Sequence, residues 1–135
     1  MASEYSWLVT GRVIKAQLHG VVGLDDLRTG NQLISRLLDE SSSPPVHVIF
    51  DCTDVQSISL SALQVVGSLR YLKHPSLGWL VAAGLNGELR GAAQFIASIT
   101  TVTTSAHIHF CDTQQDAFTF LEGADTTLSD LSAKE

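Results

Sequence analysis

The stretch Val46-His47-Val48-Ile49-Phe50-Asp51-Cys52-Thr53-Asp54-Val55-Gln56-Ser57-Ile58-Ser59-Leu60-Ser61-Ala62-Leu63 decides how the chain is read. Its first five residues are almost continuously apolar and rich in β-branched side chains. That pattern suits a central strand covered on both faces. Asp51-Cys52-Thr53-Asp54 reads as the end of the strand, and a loop follows with Ser57, Ser59 and Ser61 at alternate positions. Residues 62–72 then place Leu63, Val66, Leu69 and Leu72 on one helical face, and His74-Pro75 stops that helix. Strand, loop and helix in this order make a βα unit, and a helix that returns to a second apolar strand at residues 79–83 implies parallel pairing.

Working outward, residues 6–10 and 13–18 read as two short strands around Gly11-Arg12, a hairpin. Residues 24–39 carry Leu24, Leu27, Ile34, Leu37 and Leu38 at helical spacing, with Asp25 and Asp26 in the first turn, where carboxylates favour the positive end of the helix dipole. Ser41 to Pro45 ends that helix. Residues 88–99 form another helix with a stripe of Leu89, Ala92, Ala93, Ile96 and Ile99. Its alanines make a thin face, able to pack closely on a sheet or to leave a cavity. Residues 106–110 read as a strand. Asp112, with Gln115 three residues on, predicts a capping box for a last helix carrying Ala117, Phe118 and Leu121, which Gly123 ends. The expected fold is α/β, a mixed sheet with helices packed against it in the order β-β-α-β-α-β-α-β-α. It occupies residues 1–123 as a single domain, followed by a polar, acidic tail at 124–135. No internal repeat is present.

Composition bounds the function. The chain has 135 residues, 44% of them hydrophobic and 16% charged, enough for one buried core and too little charge for a disordered chain. Its net charge of -6, with eight Lys and Arg that do not cluster, argues against nucleic acid and against an anionic membrane surface. The N-terminus has no basic segment followed by an apolar run, and no apolar stretch approaches the roughly 20 residues of a bilayer span. A cytoplasmic location is expected.

No catalytic constellation stands out. Gly84-Leu85-Asn86-Gly87 lacks the lysine of a phosphate-binding loop and the third glycine of a dinucleotide fingerprint, and reads as a strand-to-helix turn. His107 and His109 share one strand face, but the sequence offers no third metal ligand to join them. Cys52 and Cys111 read as buried free thiols. Ser57, Ser59 and Ser61 admit two readings. One is ordinary N-capping. The other is phosphorylation, since a phosphate at a helix N-terminus gains from free N–H groups and changes a docking surface by about -2 charges.

At this point the chain resembles the STAS domain, the fold of the anti-sigma-factor antagonists, over about residues 6–122. Members of that family read as an apolar strand, then D-L-S-G-V, then I-D-S-S-G-L after two or three residues. Asp51 matches the aspartate that ends the strand, Val55 the valine after the turn, Ile58 the apolar residue before the signature, and Leu63 the leucine after its glycine. Ser61 falls on the second serine, the family's phosphoacceptor. Ser59 stands in place of the signature aspartate, Leu60 of the first serine and Ala62 of the glycine, and Gly23 falls about where antagonists often carry an acidic residue.

The resemblance implies a non-enzymatic protein-interaction module without cofactor or metal. It would dock on a kinase-type anti-sigma factor or related regulator through Asp51, Thr53, Asp54, Ser57, Ser59 and Ser61, with Ser61 or Ser59 as phosphoacceptor. The altered signature leaves open a sensor that binds a small apolar ligand, or an oligomeric scaffold such as a homodimer that pairs through its edge strand.

Overall fold

Residues 46–50 do form the middle of the sheet. In the computed structural model, which describes residues 4–41, 45–59, 64, 67, 74–85, 87–104 and 107–128, the strands are β1 (Glu4–Val9), β2 (Val13–Val22), β3 (Val46–Ile58), β4 (Leu77–Ala83) and β5 (His107–Cys111). The helices are α1 (Leu24–Glu40), α2 (Gly87–Thr104) and α3 (Gln114–Ala124). The sheet runs β1-β2-β3-β4-β5. β1 and β2 are an antiparallel hairpin, as expected, and β2 to β5 are mutually parallel. The described order is thus β-β-α-β-β-α-β-α; of the helix expected at 62–72 only residues 64 and 67, both helical, are described.

The apolar run of β3 is continuous because both its faces are covered. Val46 and Val48 pack with Ile14, Leu80 and the α1 residues Ile34 and Leu38 on one face. Ile49 packs with Val13, Val81 and the α3 residues Ala117 and Leu121 on the other. Each such fully buried aliphatic side chain contributes about 1.5–3 kcal/mol of transfer free energy.

Five expectations are corrected. β3 does not end at Asp51 but continues to Ile58. β2 is also longer than the expected 13–18 and supplies parallel partners throughout: Gln17 beside Asp51, His19 beside Asp54, Val21 beside Ser57 and Val22 beside Ile58. The polar Asp-Cys-Thr-Asp sequence survives as strand because its exposed residues need no core. In α2 the expected Leu89, Ala93, Ile96 and Ile99 are half-buried, but Ala92 is exposed, and Ala97 and the buried Thr100 join the inward face instead.

The cap of α3 is Thr113, whose hydroxyl accepts from the Asp116 N–H at 3.0 Å. Asp112 instead accepts from Arg90 Nη1 at 3.2 Å. Finally, the start of the acidic tail, residues 125–128, packs back on the domain. Leu128 is fully buried in the α3-side core and Asp125 reaches back to Arg12. Residues 129–135 lie outside the described residues.

Candidate docking edge and apolar cavity

The C-terminal ends of β2, β3 and β4 bring most of the predicted site residues together. Along the extension of β3 the residues divide by side. Cys52 and Val55 are buried and Ile58 is half-buried beneath the sheet, while Thr53, Asp54, Gln56, Ser57 and Ser59 are exposed. Asp51 organises the near end: its Oδ1 accepts from the Thr53 N–H at 3.1 Å and from the Thr53 hydroxyl at 2.7 Å. Asp54 lies 3.4 Å from His19 Nδ1 on the adjacent strand. The Ser59 N–H donates to the Val22 carbonyl at 2.8 Å, which fixes the last described residue of the row. Ser61 lies outside the described residues.

This edge is irregular. The β2–β3 register shifts between Gln17 and His19 and again between Gly20 and Val21. Gly20 has φ +65°, which a β-branched residue would not tolerate in a strand. Gly84 ends β4 with φ +90°, and a Cβ there would fall 2.9 Å from the Thr53 backbone nitrogen. Sequence reasoning placed Gly84 in a turn; its close approach to Thr53 follows only from the parallel register of β3 and β4.

Beneath the edge lies a cavity of about 190 Å³. Among the described residues its wall draws on Leu18 and Val22 of β2, Phe50, Val55 and Ile58 of β3, and Ala93 and Ala97 of α2. The heteroatoms of this wall are engaged: the Thr100 hydroxyl donates to the Ile96 carbonyl at 2.8 Å, and the Cys52 Sγ–H to the Phe50 carbonyl at 3.7 Å. Burial, aided by the Asp51 charge, pushes the Cys52 thiol up to about 12, so it is neutral and a poor nucleophile at physiological pH. Both cysteines are free; burial, with Asp116 nearby, also raises Cys111.

His107 and His109 do share a face, but aromatic rings engage both. His107 lies 5.2 Å from the Trp79 ring, and His109 stacks on Phe120 at 3.8 Å with planes 4° apart. Among the described residues no three His, Cys, Asp or Glu side chains are grouped to hold a metal, and no helix is long and apolar enough to cross a membrane.

The opposite end of the sheet holds a network that the sequence did not reveal. The buried Arg12 donates through Nη2 to Asp125 Oδ2 at 2.6 Å and to the Thr127 hydroxyl at 2.9 Å, and through Nε to the Pro45 carbonyl at 3.1 Å. His47 accepts the Trp79 N–H at Nδ1, 2.9 Å away, so its proton sits on Nε2 and donates to Asp125 Oδ2, also at 2.9 Å. Desolvation lowers the His47 pKa despite the neighbouring carboxylate. Burial alone would raise Asp125, but hydrogen bonds from Thr127 and His47 and the Arg12 charge outweigh it and hold the carboxyl below its ordinary value.

No protein-family profile and no curated protein matches the chain. Solved structures do. The anti-sigma factor antagonist SpoIIAA in its unphosphorylated form aligns with TM-score 0.62 and 13% identity over 90% of this chain and 97% of its own. The Bacillus cell fate determinant SpoIIAA in the phosphorylated form aligns with TM-score 0.57 and 13% identity over 89% and 99%. An uncharacterised DUF3478-family protein from Shewanella loihica PV-4, with a SpoIIAA-like fold, aligns with TM-score 0.59 and 16% identity over 89% and 92%. At these identities the likeness speaks for architecture, and it covers the hairpin, the parallel strands and the helices together: the chain has the SpoIIAA-like, STAS-type α/β fold.

Proposed function

We propose that this chain is a non-enzymatic regulatory module of the cytoplasm that docks on a protein partner through the edge formed by Thr53, Asp54, Ser57 and Ser59. The observation that supports this reading is the divided β3 extension. A row of polar side chains faces outward on a strand whose alternate residues Cys52 and Val55 are buried and whose near end is organised by Asp51 and Gly84. Exposed polar side chains on strand backbone that is already formed suit a docking surface, since less of the chain remains to be ordered at binding. The fold shared with an anti-sigma factor antagonist makes a kinase-type anti-sigma factor or related regulator the partner to test first.

Phosphorylation of Ser61 or Ser59 would end the contact. A phosphate at Ser59 would add about -2 charges close in sequence to Asp54 and strengthen an already acidic edge against an acidic partner surface. Incubation with the cognate kinase and ATP is expected to add about 80 Da of phosphate, to lose that increment in Ser61→Ala or Ser59→Ala, and to release the partner. No mass increase together with no complex would sink the proposal. The cavity favours a second reading on the same scaffold, a sensor that binds a small apolar ligand.

A further inference from the structure

The β3–β4 ladder carries a bulge at its N-terminal end. Val46 pairs with Leu77 and Val48 with Leu80, so Gly78 and Trp79 of β4 together face His47 alone. The Trp79 N–H in this bulge donates to the His47 imidazole at Nδ1, 2.9 Å away. The ring fits closely: a Cβ on Gly78 would fall 2.5 Å from its Nδ1 and Cε1, so the glycine clears the space that the imidazole fills. At its other nitrogen the ring donates to Asp125 Oδ2 at 2.9 Å, and that oxygen also receives Arg12 at 2.6 Å. His47 thus ties a sheet bulge to the chain that follows α3. Leu128 anchors the same segment, fully buried with Val9, Val13 and Ile49.

We propose that His47 is an acid-sensitive pin: a proton taken from solvent at Nδ1 turns the acceptor of the Trp79 N–H into a second donor, and residues 125–128 lift from the domain while the sheet stays folded. An imidazole with protons on both nitrogens accepts nothing, so the Trp79 N–H and the new Nδ1–H would face each other across the bulge. The Gly78 backbone leaves the ring no room to turn aside on that flank. Relief lies at the other nitrogen, where the 125–128 segment meets the ring. His47 is 2% exposed, and Asp125, at 12%, is the most exposed of the three paired side chains. Lifting the segment gives the imidazolium water and removes the cost of a buried charge. Asp125, after α3, attracts that charge, Arg12, in the hairpin turn, repels it, and burial outweighs the attraction. β4 presents the ring with backbone, His107 of β5 meets the Trp79 indole, α3 packs on this face through Ala117 and Leu121, and α1 lies against the opposite face of β3. β3 keeps its β2 partner throughout, since the His47 N–H donates to the Arg12 carbonyl and that pairing uses no side chain.

Amide hydrogen exchange of the full chain in low urea, corrected for intrinsic rates, separates this opening from global unfolding. The amides of Trp79, Asp125 and Leu128 are expected to exchange together, faster than those of Ile49 and Val81 and with little dependence on urea. Their protection should fall by up to about 30-fold between pH 7.5 and pH 5, the limit set by protonation of the opened His47 about 1.5 pH units below its ordinary 6.5. His47→Gln keeps an acceptor and a donor but takes up no proton, and should abolish the pH dependence. Nitrogen and methyl spectra of the unsubstituted chain test the same point should that variant fail to fold. His47 should carry its proton on Nε2 at neutral pH, and the fraction protonated on acidification should match the fraction in which the Leu128 methyls have left the core. A proton on Nδ1 at neutral pH, an imidazolium formed with Leu128 unmoved, tail amides that exchange only with Ile49 and Val81, or a pH dependence that survives in His47→Gln would each overturn the proposal.

Discussion

At the N-terminal ends of β2, β3 and β4, the buried Arg12 and His47 both pair with the half-buried Asp125. At the C-terminal ends of the same strands, Thr53, Asp54 and Ser57 stand in solvent over a cavity. The two ends share their strands but spend polarity differently. At the closed end one carboxylate oxygen receives both a guanidinium and an imidazole, and Arg12 is tied further to Thr127 and the Pro45 carbonyl. At the open end the polar groups belong to short side chains on a register-shifted ladder, and the described residues beneath them line a pocket. Ligands of open α/β sheets bind outside the carboxyl ends of the strands, and the division here follows that rule. The end that fixes the fold is not the end that is free to do something with it.

That contrast can be broken most directly at Asp125. Asp125→Ala leaves the buried Arg12 charge without its carboxylate and is expected to cost about 3–5 kcal/mol, read as a fall in the urea midpoint with exposure of the Leu128 segment. A change below 1 kcal/mol would mean that the closed end does not hold the fold.

A smaller effect is expected at the other end from Gly84→Ala. Its positive φ and the nearby Thr53 backbone make the methyl costly by about 1–3 kcal/mol, and chemical-shift changes should concentrate at Asp51, Thr53 and Cys111, whose carbonyl accepts the Gly84 N–H. Changes spread over the whole sheet would show that the two ends are not separable.

The third and smallest effect is pH-dependent and belongs to the closed end. The folded state lowers the His47 pKa below its ordinary 6.5 because burial desolvates the imidazolium, helped by the Arg12 charge, and outweighs the attraction of Asp125. Above 6.5 both folded and unfolded His47 are neutral, and this stability is fully present. As pH falls below 6.5 the unfolded chain takes up a proton that the folded chain resists, so stability declines until the lowered folded value is passed. Urea midpoints at pH 7 and pH 5 should differ in that sense, with His47→Gln removing most of the difference. Asp125, lowered as well, contributes with the same sign at more acid pH.

The two ends also differ in how far the sequence discloses them. The apolar residues 46–50, the helical period of 24–39 and the parallel βα alternation are local patterns, and local patterns survive into the fold. The extension of β3 is not local: Asp-Cys-Thr-Asp has the composition of a turn, and only a long, parallel β2 makes it strand. The cavity could be glimpsed in the alanine face of α2, which permits either close packing or open space, but the choice between them depends on how the helix is rotated on the sheet. The closed end was illegible. Arg12 reads as a turn residue and Asp125 as part of a polar tail, and no periodicity links positions 113 apart.

That separation also orders events in time. Bringing Arg12 to Asp125 closes a loop of about 113 residues, which in a free chain carries an entropic cost on the order of 4 kcal/mol beyond the constant term. One ion pair cannot nucleate such a closure. It forms once β2, β3 and α3 have already set the two residues side by side, so it acts as a clasp fastened after assembly. A clasp made late retards unfolding and leaves the speed of folding nearly unchanged, and the persistence of the native state rests on residues that its formation does not await.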